Sequence, residues 1–239
     1  MKNLDQKVAY ITGGSKGIGY GIAQALSEAG VKVAISSRNL KEAEEAAQEI
    51  SRNGKAEVIG LQADVRDFES QKKALEQVTS KWGSLDILIC NAGVGKFAPI
   101  DELSIEDWQQ TIETNLTGVF YSIKAAVSAL KESQGYIFTI SSLAGTNFFA
   151  GGAAYNASKF GVTGFTQAAM LDLRDYGIKV TTIMPGSVAT YFNGHTPSQE
   201  DSWKIQIEDI GEIVVDLLRL NPRALPSKIE IRPSQPPKK

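Results

Sequence analysis

Short apolar runs alternate along the chain with longer stretches in which apolar residues recur every three or four positions. The runs start with Lys7-Val8-Ala9-Tyr10-Ile11 and Val31-Lys32-Val33-Ala34-Ile35-Ser36, and continue over 57–63, 85–90, 135–140, 178–184 and 227–231. Each reads as a strand, and the run 85–90 is apolar enough for a central parallel strand covered on both faces. Between them, Ile18, Ile22, Ala25, Leu26 and Ala29 mark a first helix, closed by Gly30. Residues 39–53 form a second helix with Leu40, Ala43, Ala46, Ala47 and Ile50 inward. Further helices are predicted over 68–82, 104–131, 155–176 and 208–220, the 155–176 helix turning Phe160, Val162, Phe165 and Met170 inward. This alternation predicts an α/β fold: a Rossmann-type doubly wound, seven-stranded parallel sheet with helices on both faces. No repeat or linker interrupts it, so 1–239 reads as a single domain with a polar loop at about 187–206 and a tail at 232–239.

Composition removes alternatives. A net charge of -2 gives no footprint for nucleic acid, and the Lys238-Lys239 pair is too short to bind a membrane surface. No apolar run approaches the roughly 20 residues that span a bilayer. The one cysteine, Cys90, excludes an internal disulfide framework, fits a buried core thiol and suits a reducing compartment. The polar start, Met1 to Lys7, lacks the apolar core of a signal peptide. No metal is expected, and the reading is a cytoplasmic protein.

The candidate chemistry lies at the strand ends. The first strand feeds Thr12-Gly13-Gly14-Ser15-Lys16-Gly17-Ile18-Gly19, a glycine-rich turn opening a helix. Such a turn brings free N–H groups to a phosphate, although the G-x-x-x-G-x-G spacing could also serve a tight turn alone. After the second strand stand Ser36-Ser37-Arg38-Asn39, with no acid to meet a ribose 2′-hydroxyl. Arg38 can pair with a 2′-phosphate and Lys16 can add charge, so the expected cofactor is NADP(H). Asp64, before Val65, either bonds an adenine amine or caps the next helix, where Asp67 is the better cap. Asn91-Ala92-Gly93 offers small residues against which a cofactor can lie, and Pro185-Gly186-Ser187-Val188-Ala189-Thr190 forms the turn after the sixth strand. Thr190 is placed to bond a nicotinamide carboxamide. Tyr155 and Lys159 are four residues apart, on one helix face, where a nearby ammonium would lower the phenol pKa. Ser142 ends the fifth strand, and Asn115 with Gly118 violates helix preference in mid-helix. The lone His195, in the loop, reads as solvent-exposed, and Phe97, Phe148, Phe149, Tyr191 and Phe192 suggest an aromatic pocket.

Together these motifs resemble the short-chain dehydrogenase/reductase family over residues 5 to 232. The resemblance implies an oxidoreductase in which Tyr155 is general acid or base, Lys159 tunes it and bonds the nicotinamide ribose, and Ser142 holds the substrate oxygen. It implies that Asn115 anchors a water in a proton relay to Lys159. It also implies a homodimer or homotetramer through the helices at 104–131 and 155–176, and a small carbonyl or alcohol as substrate. A regulatory or scaffold protein on this fold would often lose the catalytic set, and here all four residues are present. The 3-oxoacyl-[acyl-carrier-protein] reductases usually end in a Gly-rich segment. Here Ile229-Glu230-Ile231-Arg232-Pro233 looks more like members acting on hydroxy acids, semialdehydes or diverse ketones.

Overall fold

The computed structural model describes residues 3–235, so Met1, Lys2 and the 236–239 end of the tail, with Lys238-Lys239, lie outside the described residues. The strands are β1 (Val8–Thr12), β2 (Lys32–Ser37), β3 (Val58–Gln62), β4 (Ile87–Cys90), β5 (Tyr136–Ile140), β6 (Lys179–Pro185) and β7 (Lys228–Ile231). They form one seven-stranded sheet in the order β3-β2-β1-β4-β5-β6-β7, and every pair is parallel. The order reverses beside β1, which pairs with both β2 and β4; Tyr10 lies between Ala34 and Leu88. A crevice opens at the carboxyl ends there, the expected ligand position in such a sheet.

Alternating strand residues feed two cores. Ala9, Ile11, Val33, Ile35 and Phe138 pack against α1 (Gly17–Glu28), α2 (Leu40–Asn53) and α7 (Ile207–Arg219). Val8, Tyr10, Leu88, Ile137 and Val180 pack against α3 (Phe68–Trp82), α5 (Gly118–Ser133) and α6 (Ala153–Leu173). Cys90 is buried in this second core, and burial raises its thiol pKa. Asn39, Asp67 and Ser104 cap α2, α3 and α4 (Ile105–Ile112) by accepting main-chain N–H bonds. Among the described residues no helix is long and apolar enough to cross a membrane.

Three expectations change. The helix over 104–131 is α4 and α5 joined by a π-helical turn, Glu113–Thr117, with Asn115 inside it. Such a turn carries one extra residue and often marks a functional site. Leu40 is exposed, because it opens α2 beyond the sheet edge. Phe160 is exposed too, since α6 meets the sheet through the row Val162, Thr166, Ala169 and Leu173.

Candidate active site

A cleft of about 860 Å³ runs along the carboxyl ends of β1, β2, β4, β5 and β6. It is lined by Gly13, Ser15, Lys16, Gly17, Ile18, Ser37, Arg38, Asp64, Val65, Asn91, Ala92, Gly93, Ser142, Tyr155, Lys159, Pro185, Gly186, Val188 and Thr190, but not by Gly19 or Asn115. At one end α1 begins behind Lys16 with no side-chain cap, leaving its first N–H groups directed at the cleft. Gly13 and Gly17 have φ of +65° and +60°, a conformation that favours glycine. A Cβ on Gly13 would stand 2.9 Å from the Ala92 Cα, so the turn must approach β4 without one. Gly19 lies behind this turn, where a Cβ would meet the Asn91 amide at 2.5 Å.

Asn91 turns out to be a fastener. Its Nδ2 donates to the Thr12 and Gly13 carbonyls at 3.0 and 2.9 Å, while Asn91 N and Ala92 N donate to Thr12 Oγ1. Asp64 neither caps α3 nor stands free. It is clamped by Arg66 through Nε and Nη2, and this guanidinium holds its carboxyl below the usual range. Asp67 is the cap, accepting from Glu69 N at 2.9 Å. Lys16 and Arg38 remain in the cleft wall, and Glu42 beside them accepts from Asn39 Nδ2. That wall therefore presents Lys16 and Arg38 beside an Asp64 paired with Arg66, with the Glu42 carboxylate also among its lining.

At the other end Ser142, Tyr155 and Lys159 converge. The Gly152-led start of α6 presents Tyr155 and Lys159 one turn apart. Lys159 is buried, donates to the Ile140 carbonyl at 2.9 Å and has its Nζ 5.6 Å from the Tyr155 ring centroid. Burial pushes its pKa down to about 8, so the ammonium form still predominates at neutral pH. The expected lowering of the Tyr155 pKa is not what this arrangement produces. Burial is the larger effect and raises it, and a hydrogen bond with Ser142 works in the opposite direction. Tyr155 is thus a protonated phenol at neutral pH, the form that can donate a proton.

Asn115 sits one layer behind. Its Oδ1 accepts from Val94 N at 2.8 Å, and its Nδ2 donates to the Val94 carbonyl at 2.9 Å and to Ser158 Oγ at 3.0 Å. These bonds use both Nδ2 hydrogens and one Oδ1 lone pair, and they tie the strand-end loop to α6. Gly93, in that loop, lies between them: a Cβ there would be 3.3 Å from Asn115 Oδ1 and 3.7 Å from Lys159 Nζ.

The family model for short chain dehydrogenases matches residues 7–201. The chain is a member of the short-chain dehydrogenase family. It is 35% identical over 217 residues to trans-4-hydroxycyclohexanecarboxylate dehydrogenase of Sinomonas cyclohexanicum, covering 86% of this chain and 84% of that one. It is 36% identical over 189 residues to a 3-oxoacyl-[acyl-carrier-protein] reductase of Vibrio cholerae, with 79% and 76% covered. Among solved structures, an alcohol dehydrogenase from the archaeon Thermococcus sibiricus, complexed with 5-hydroxy-NADP, superposes with a TM-score of 0.91 at 30% identity. That match covers 98% of this chain and 99% of the other.

Two cleft residues of this short-chain dehydrogenase were not foreseen: Glu42 and Arg66. Each carries a charge that reads in sequence as ordinary solvated surface. The aromatic expectation divides. Phe97 and Phe192 pack on the Tyr155 ring at centroid distances of 5.3 and 5.7 Å, and Phe149 touches Phe97 at 5.8 Å. Phe148, at 87% exposure, points away from this group. His195 is also more than a solvated side chain: it lines the cleft and its Nε2 lies 2.6 Å from Asp201 Oδ2. The buried Asp201 further pairs with Lys204 at 2.5 Å and accepts from Ser198 N, and these bonds, Lys204 foremost, hold its carboxyl far below the usual range. The loop is closed at its neck, where Ala189 N donates to the Ile205 carbonyl and Ile205 N to the Ser187 carbonyl.

Proposed function

We propose that this short-chain dehydrogenase interconverts a carbonyl compound and an alcohol using NADP(H). The observation that carries the proposal is one cleft with Ser142, Tyr155 and Lys159 at one end and Lys16, Arg38 and the uncapped start of α1 at the other. The residues fit the dinucleotide. Glycines leave room where a Cβ would fill the cradle, and Lys16 and Arg38 suit a 2′-phosphate that a free carboxylate would repel. When bound, NADPH supplies the hydride. Tyr155 supplies the proton to the carbonyl oxygen, and the raised pKa keeps it available. Ser142 bonds the same oxygen and orients it toward Tyr155. Lys159 directs its charge at the cleft from a main-chain anchor, and Asn115 positions the loop that faces it. The names of the relatives, a hydroxy acid dehydrogenase and a 3-oxoacyl reductase, support this class of chemistry. The loop at 187–206 carries substrate selection, the protein works in the cytoplasm, and α4 to α6 form its homo-oligomeric contact. The test is NADPH oxidation against aldehydes, ketones, 3-oxo esters and quinones. Absence of turnover with every class would overturn the assignment.

A further inference from the structure

Ser142 and Tyr155 also line a second cavity, of about 510 Å³. Its body is apolar, with Leu143, Phe149, Trp203 and Pro233 in the wall. Among its lining residues one side chain is charged, Arg232, and none is acidic. Arg232 follows β7 directly, so the sheet fixes where its backbone stands: Gly186 N donates to the Ile231 carbonyl at 2.8 Å. Its guanidinium makes one hydrogen bond among the described residues, from Nη2 to Glu230 Oε2 at 2.9 Å. The rest of the fork is uncommitted.

A guanidinium beside an apolar cavity pairs best with a planar anion, because a carboxylate can accept two parallel N–H bonds. The same cavity is lined by Ser142 and Tyr155, the groups that handle a carbonyl oxygen in the reading above. Its apolar wall suits a compact hydrocarbon body. We propose that the substrate is an oxo acid or hydroxy acid whose carboxylate is held by Arg232 while its carbonyl or hydroxyl meets Ser142 and Tyr155. This deepens the functional reading above and rests on it.

Two measurements test it separately from that reading. Calorimetric titration of the NADP+-saturated protein compares benzoate with benzamide, neither of which can be reduced. Benzoate should bind at least ten-fold more tightly, the advantage should vanish in Arg232→Gln, and Arg232→Lys should retain part of it. Glu230→Gln should tighten benzoate a few-fold, because it removes both a competitor for the fork and a like charge. Equal binding of the two ligands to the wild-type protein, or an unchanged advantage in Arg232→Gln, overturns the carboxylate site. Turnover then compares 3- and 4-acetylbenzoate with their amides under NADPH. The acids should show the lower KM, and Arg232→Gln should erase that difference. Amides favoured over acids, or a preference indifferent to Arg232, likewise overturns it. A protein that binds benzoate through Arg232 but reduces no carbonyl would leave the site standing and refute the oxidoreductase reading alone.

Discussion

Asn115 and Val94 exchange two hydrogen bonds, Val94 N to Asn115 Oδ1 at 2.8 Å and Asn115 Nδ2 to the Val94 carbonyl at 2.9 Å. A π-helical turn in one element thereby holds the strand-end loop of another. Replacing Asn115 by Ala leaves the Val94 main-chain groups without these partners. The expected cost is about 2–4 kcal/mol in urea unfolding, with kcat falling at least in parallel. Unchanged stability would show that the tie is not maintained in solution.

Tyr155→Phe removes the proposed proton donor and keeps the ring packed between Phe97 and Phe192. Turnover should fall by about 10²–10⁴-fold. NADPH affinity, measured by fluorescence titration, should stay within a few-fold. Retained turnover would remove Tyr155 from its role.

Arg38→Asp places a carboxylate where the proposed 2′-phosphate contact lies. The ratio of NADH to NADPH dissociation constants should shift by about 10- to 100-fold toward NADH, the worth of a charge-assisted bond. A constant ratio would show that Arg38 does not meet the phosphate.

Lys159 gives the protein a signature in alkali. Its folded pKa of about 8 lies below the ordinary 10.5, so between these values the unfolded chain binds more protons. Stability measured without dinucleotide should therefore gain a contribution from Lys159 that rises with pH from about 8. The buried Cys90 thiol, raised from its ordinary 9.0, acts in the opposite sense above that value, and Tyr155, also raised, does so above 10.0, so the net rise is clearest between about pH 8 and 9. Lys159→Met should abolish the rise between about pH 8 and 9. A rise that persists in the variant would assign it to another group.

Phe120 and Phe160 are 44% and 43% exposed on α5 and α6. If these helices form the oligomeric contact, Phe160→Glu should lower the mass seen by light scattering to that of one chain. An unchanged mass would move the contact elsewhere.

The strands and the sheet were legible because seven apolar runs, each ending in small or polar residues, leave few other arrangements. The cleft was legible for the same reason, since its glycines and polar residues follow strand ends. What sequence could not show was pairing. Asp64 had two plausible partners, and its neighbour Arg66 took both carboxylate oxygens. The π-helical turn leaves no mark in an apolar period; only Asn115 and Gly118 hinted at it. Gly118 is small because a Cβ would stand 2.8 Å from the Val65 side chain. Likewise the sign of the Tyr155 shift depends on burial, which the spacing of Tyr and Lys does not encode.

The neck bonds between Ser187, Ala189 and Ile205 make residues 190–204 a loop that closes on itself before it meets the body of the protein. Closure entropy grows only with the logarithm of loop length. Insertions or exchanges beyond the neck therefore carry little thermodynamic penalty for the sheet, which keeps Tyr155 and Lys159 in register. The segment is in effect a replaceable cassette, and grafting a related loop at the neck is a route to new substrates where the graft keeps a ring at the place of Phe192, which packs on Tyr155.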